Sequence, residues 1–190
     1  MDKKRIFMEK KDWISRIDAV TAAFQRELGP LAPENLNLKP NSQSWCIAQI
    51  LQHLILVNSS YFPVIVALKE KKYALPVIGR LRFLVNWMGK FILSSVQPSE
   101  SKKIRTFPVW DPEETPAPLD VLAQFVQNQE ALKAAIAGAE GLIREGAVIS
   151  SPANRYVVYT LETAFEIIVA HEERHLAQAL DILSQLKNRA

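Results

Sequence analysis

The chain has three histidines, and two of them, His171 and His175, stand four residues apart in the string HEERH. On a helix that spacing puts both imidazoles on one face, one turn apart, where both can reach a single cation. Their neighbours along that face, Ala164, Ile168, Ala179, Ile182 and Leu186, are apolar, so the pair points into the protein. His53 lies among Ile50, Leu54, Leu56 and Val57 in a second apolar stretch and points inward as well. A buried imidazole has to satisfy a donor and an acceptor, and three neutral imidazoles around one divalent ion solve that problem together. Three such ligands leave an open coordination position, which is the arrangement of a reactive metal site rather than a closed structural one. The same residues are also compatible with histidines satisfied separately in a core, or with a half-exposed pair.

HEERH is also a literal H-E-x-x-H, the pattern in which a glutamate acts as general base beside two zinc-bound histidines of a peptidase. Glu172 is then the base, and a third ligand has to follow. Only 15 residues follow His175. Asp181 stands six positions on, but Gln178 occupies the place of the required turn glycine, and the apolar period runs on through Ile182 and Leu186. In a continuous helix Glu172 is turned by about 100° from His171. Glu172, Glu173 and Arg174 therefore read as solvent-side charges, with Arg174 near enough to border the site. The peptidase reading is set aside and the two histidines are kept.

Helices must position these residues. Trp13, Ile17, Val20, Phe24 and Leu28 recur at three- and four-residue spacing and predict a helix over 12–28, stopped by Gly29 and Pro30. Cys46, Ile47, Ile50, Leu51, Leu54 and Val57 predict a second over 46–69, with a kink or break at Pro63. Residues 73–118 form a long crossover: a helical piece over 78–93, then a proline-rich run whose Phe107, Val109 and Trp110 are too apolar for a solvated linker. A third helix is expected over 119–139, opening with Asp120, and a fourth over 160–186, with Glu162 in its first turn. No strand is expected. The pattern predicts one all-α domain over 1–190, a four-helix bundle with a long crossover between its second and third helices.

Composition narrows the class further. A formal charge of +3, from 23 basic and 20 acidic residues, is too small and too scattered to specify nucleic acid as a partner. Cys46 is the only cysteine, so no intramolecular disulfide can form, and MDKKRIFMEKKDW contains no apolar run of signal-peptide length. The expected location is the cytoplasm. Two apolar stretches fail as membrane spans: residues 51–68 contain Gln52, His53, Asn58, Ser59, Ser60 and Pro63, and residues 75–96 contain Arg80, Arg82 and Lys90. The second has the make-up of a basic amphipathic helix for a membrane surface, although a helix or lid packed on the protein's own core is the plainer expectation.

SWCIAQILQHL, with Trp45 just before a helix and His53 inside it, taken together with TLETAFEIIVAHEERHLAQAL, resembles the DinB/YfiT-like superfamily of small bacterial helical metalloproteins. KIRTFPVWDP between them is similar to the branch known as DinB-like domain proteins. The resemblance implies a four-helix bundle with a long crossover and a divalent metal, nickel or zinc, on His53, His171 and His175. It implies a small-molecule substrate, with either thiol transfer on a low-molecular-weight thiol or metal-dependent hydrolysis as the reaction, and a homodimer. Gln49, Gln178 and Arg174 are the candidates for outer contacts to the ligands or to substrate. Cys46 departs from the serine usual at its place, a better helix cap. The rival expectation is a non-catalytic, stress-linked binding or interaction protein with a structural metal or none.

Overall fold

The computed structural model describes residues 3–98, 107–113 and 116–188, with side chains from Asp12 onward. In chain order its elements are α1 (Lys3–Leu28), α2 (Ile47–Lys69), α3 (Arg82–Ser95), α4 (Val121–Ala137), α5 (Glu140–Arg144), β1 (Val148–Ser151), β2 (Asn154–Thr160) and α6 (Leu161–Lys187). α1, α2, α4 and α6 form the four-helix bundle that the sequence predicts. Of the kink or break expected at Pro63, the break is not there: α2 runs on through that residue.

The strands correct the expectation that no strand forms, within a fold that remains mainly helical. β1 and β2 pair antiparallel, Ile149 opposite Tyr159 and Ser150 opposite Val158. Their β-branched and aromatic residues, Val148, Ile149, Tyr156, Val157, Val158 and Tyr159, flank a turn at Pro152 and Ala153, which is a hairpin signal in two short runs. Tyr73 ties the crossover to this hairpin, its hydroxyl accepting from the Ser150 backbone N–H at 2.8 Å.

Two apolar clusters fill the bundle. One gathers Trp13, Ile17, Val57, Tyr61, Leu132, Phe165 and Ile168, with Trp13 and Phe165 5.6 Å apart by ring centres. The other gathers Val20, Phe24, Leu51, Leu54, Phe125, Ala179 and Leu183, with Phe24 and Phe125 meeting edge to face at 5.1 Å. Between them in sequence stand the polar residues Asn128 and Gln129 of α4 and Glu172 of α6, and Asn58 of α2, next to Val57 of the first cluster, joins them in a polar seam. Asn58 Nδ2 donates to Glu172 Oε1 at 2.9 Å and Gln129 Nε2 donates to Glu172 Oε2 at 2.9 Å. α2 is long and apolar enough to cross a membrane, but its buried face carries Gln49, His53 and Asn58 and belongs to this core.

α1 is fixed to α6 by a partly buried charged cluster. Arg16 forks onto both oxygens of Glu173, at 2.8 and 2.9 Å, and reaches Glu166 at 2.6 Å, while Trp13 Nε1 donates to the other Glu166 oxygen at 2.7 Å. At the other end of the hairpin, Thr160 caps α6 by accepting from the Thr163 N–H at 3.0 Å.

α3 packs on β2 and α6 through Val85 and Gly89. A Cβ at Gly89 stands only 3.1 Å from Thr163 Cγ2 and 3.2 Å from Tyr159 Cβ, so the missing side chain is what lets the two elements approach. Of the crossover, residues 99–106 and 114–115 lie outside the described residues.

Candidate metal centre

α2 and α6 bring the three histidines together, as the pattern of apolar faces requires. His171 Nε2 lies 3.3 Å from His53 Nε2 and 2.9 Å from His175 Nε2. All three ligand atoms fall within 4.8 Å of one another. Nitrogens held 2.0–2.1 Å from a tetrahedral zinc are separated by roughly 3.3–3.4 Å, so this spacing suits one small cation.

The partners of the rings decide which nitrogens face inward. His53 Nδ1 is 2.7 Å from the Trp110 carbonyl oxygen, which can only accept, so the proton sits on Nδ1 and the Nε2 lone pair is left facing the other two rings. Among the described residues His175 Nδ1, a buried nitrogen, has no hydrogen-bond partner. Gln178 comes near enough to raise the pKa of His175, but no hydrogen bond of good geometry joins the two. The three Nε2 atoms converge, and a proton carried on any one of them can bridge to only one neighbour at a time. A divalent cation satisfies all three, and on that chemistry the residues fit a metal.

All three rings are held neutral. Burial pushes the pKa of His175 down to about 3, with the nearby His53 and Arg174 adding to it. Burial lowers His171 well below the usual imidazole range, with His175 and His53 next in effect. Burial lowers His53 too, against the Trp110 carbonyl, which favours its charged form. Trp45, just ahead of α2, covers the group, its ring centre 5.0 Å from His53 and 6.3 Å from His175 with the latter planes nearly parallel.

The histidines open on a cleft of about 720 Å³. Its apolar wall includes Trp45, Ile92, Val96, Trp110 and Ile168, and its polar groups include Arg174, Gln178, Asp181 and Gln185. Tyr61 and Tyr159 also line it, with hydroxyls 2.7 Å apart and burial raising the pKa of both.

Two expectations about α6 fail. Glu172 is wholly buried, not on the solvent side, and faces Asn58 and Gln129 in the bundle seam. Burial raises its pKa to about 7, while those two amide donors favour the charged form. The reason is the width of the buried face: α6 is surrounded by α1, α2, α3 and the hairpin, so more than one stripe of it is inside. Arg174 is buried for the same reason, its Nη1 donating to the Ser95 carbonyl of α3 at 2.7 Å, and it borders the cleft. Of the other polar candidates, Gln178 lines the cleft, but Gln49 does not. Gln49 Oε1 accepts from the Cys46 N–H at 3.1 Å and its Nε2 donates to the Glu113 carbonyl at 3.1 Å, so it holds the start of α2 and the returning crossover.

Tyr61 was readable from the sequence, eight residues beyond His53 on the same helical face. Tyr159 and the Trp110 carbonyl were not, because one belongs to the hairpin and the other is backbone brought in by the crossover.

Residues 16–179 match the family model of the DinB superfamily, and the chain belongs to that superfamily. Among solved structures it is similar to YfiT from Bacillus subtilis, described as "a probable metal-dependent hydrolase with an unusual four-helix bundle topology". The two share 14% sequence identity and superpose with a TM-score of 0.52 over 98% of this chain and 90% of that one, which is a likeness of fold. No curated protein matches the chain.

Proposed function

We propose that this protein is a metal-dependent enzyme acting on a small molecule, with a divalent ion, nickel or zinc, held by His53, His171 and His175. The observation that carries the reading is the convergence of three neutral Nε2 atoms beneath a cleft, one of them fixed in its tautomer by the Trp110 carbonyl. When bound there, such an ion supplies Lewis acidity, lowering the pKa of a water or a thiol.

The chain's own residues divide the remaining work. Trp45 and Trp110 shield the histidines from bulk water on the apolar side. Arg174, fixed by Ser95, offers positive charge to an anionic or carbonyl group of a substrate. Gln178 is placed to bond either to His175 or to a ligand beside it. The Tyr61 and Tyr159 hydroxyls, kept protonated by burial, bond to each other on the cleft wall, so at most one of their two protons is left for a ligand. Glu172 faces away into the bundle, so it is not the base of a peptidase reaction.

Hydrolysis is the first reading, supported by the description of YfiT; thiol transfer is the second, since a cleft of this size admits a low-molecular-weight thiol together with an electrophile. The test loads the purified protein with zinc or nickel and compares ester and amide hydrolysis with consumption of a thiol by an electrophilic acceptor. Activity that depends on the ion and is lost in His171→Ala is expected. If neither reaction responds to the metal, the enzyme reading is wrong and the non-catalytic binding protein takes its place.

A further inference from the structure

α3 is packed on one side only. Val85 and Gly89 face the protein, whereas Phe83, Trp87 and Phe91, at successive four-residue steps, are 69, 62 and 60% exposed. The rings of Trp87 and Phe91 stack at 6.0 Å, and Phe83 stands one turn before them in the same row. Val77, 75% exposed, and Leu81, also exposed, extend the apolar surface into the turn before the helix. None of these side chains lines the histidine cleft. An exposed apolar patch of this kind marks an interaction surface.

Charge identifies the partner. Arg82, Asn86 and Lys90, also four apart, form a second exposed row one position behind the aromatic one, and Arg80 lies just before it. Among the described residues none of these three bases has an ion-pair partner. Residues 71–98 contain five bases, Lys71, Lys72, Arg80, Arg82 and Lys90, and no acid; the rest of the chain, with 18 bases and 20 acids, is net negative. A run of bases without an intervening acid thus lies where the aromatic side chains are bare, with Lys72 alone of the five paired among the described residues, to Glu70 at 2.9 Å.

We propose that the outer face of α3 docks on an anionic lipid bilayer, with Phe83, Trp87 and Phe91 entering the headgroup region and Arg80, Arg82 and Lys90 facing lipid phosphates. A convex helix that pairs an aromatic row with a basic row is the pattern of a helix lying in the plane of a membrane interface. The same face of a second copy brings only more positive charge, whereas an anionic bilayer supplies the opposite sign. The helix lies on the surface and does not span it: it has 14 residues, fewer than a span needs.

Sedimentation with vesicles tests this, using phosphatidylcholine alone and phosphatidylcholine mixed with phosphatidylglycerol. The protein is expected to pellet with the mixed vesicles, to stay soluble with the neutral ones and to release at high salt. Each basic residue near the surface contributes roughly fivefold to binding, so Arg80→Glu/Arg82→Glu/Lys90→Glu weakens it by at least roughly a hundredfold. Phe83→Ser/Trp87→Ser/Phe91→Ser abolishes it. Both variants change exposed side chains, and circular dichroism checks that they fold. Failure of the wild-type protein to bind the mixed vesicles, equal binding to neutral ones, or binding that survives either triple substitution overturns the proposal. So does a dimer by light scattering that the serine variant dissociates while vesicles remain unbound, because the face is then a contact between copies.

Discussion

The Nδ1 atom of His53 lies 2.7 Å from the carbonyl oxygen of Trp110, 57 residues away in the returning crossover. A side chain on a bundle helix thus has its tautomer set by the backbone of a connection. With that proton placed, His53 Nε2 is available to a cation. His53→Ala is expected to lower metal affinity by more than the roughly 10- to 100-fold that loss of an outer partner costs. Metal analysis after gel filtration checks it, and unchanged metal content in the variant removes His53 from the site.

Acid dependence of the metal-free protein follows from the same group. His53, His171 and His175 have folded-state pKa values below the ordinary 6.5, that of His175 down to about 3. Below pH 6.5 the unfolded chain binds protons that the folded one refuses, so stability falls as pH falls, by at most about 1.4 kcal/mol per pH unit for each such group. Glu172 acts in the opposite sense. Its pKa is raised to about 7 from 4.5, so between those values the folded state holds a proton the unfolded state has lost, and stability falls as pH rises. Urea unfolding between pH 4.5 and 6.5 is expected to show the histidine slope reduced by Glu172. In Glu172→Gln that slope steepens. A stability that is flat with pH in both proteins contradicts the assignment.

Gly89 allows α3 to sit against the hairpin and α6. Gly89→Val places two methyl groups where even a Cβ is 3.1 Å from Thr163 and 3.2 Å from Tyr159. A loss of about 1–3 kcal/mol is expected by chemical denaturation, the usual range for overpacking. A cost below about 0.5 kcal/mol means that α3 is not held as described.

Arg16 is a partly buried cation hydrogen-bonded to two carboxylates of α6, one of them by both arms of its fork, with Asp12 of its own helix 3.7 Å away. Burial opposes its charge, but the hydrogen bonds to Glu173 and Glu166 raise its pKa overall. Arg16→Met is expected to cost roughly 1–2 kcal/mol and to be sensitive to salt, since it leaves two neighbouring carboxylates of α6 without their common partner. Thermal melting with and without salt measures both effects.

The bundle was legible because its helices are amphipathic, and Trp13 through Leu28 or Ile50 through Val57 advertise their faces at helical spacing. The histidines were legible for the same reason: they stand on those faces. Residues whose role comes from packing several elements around one helix were not. Nothing near Glu172 or Arg174 in the chain announces that α6 is enclosed on several sides. The hairpin was hidden by its brevity, since four and seven residues offer too few alternations to outweigh the helix that follows. The exposed aromatic row of α3 reads in sequence like a core face, because periodicity shows that a face is apolar and does not show what covers it.

The polar seam at Asn58, Gln129 and Glu172 has one more effect. His171 and Glu172 are consecutive, so their side chains leave α6 in directions about 100° apart. One direction ends in amide donors and the other in imidazole lone pairs. A rotation of α6 by one residue in one sense would carry the carboxyl group toward the cleft, and in the other would put the imidazole among the amides; either way the buried acid leaves its two amide donors. The seam is therefore an angular detent for α6: it fixes the rotation of the helix about its own axis, and with it the aim of His171 and His175, before any ion arrives.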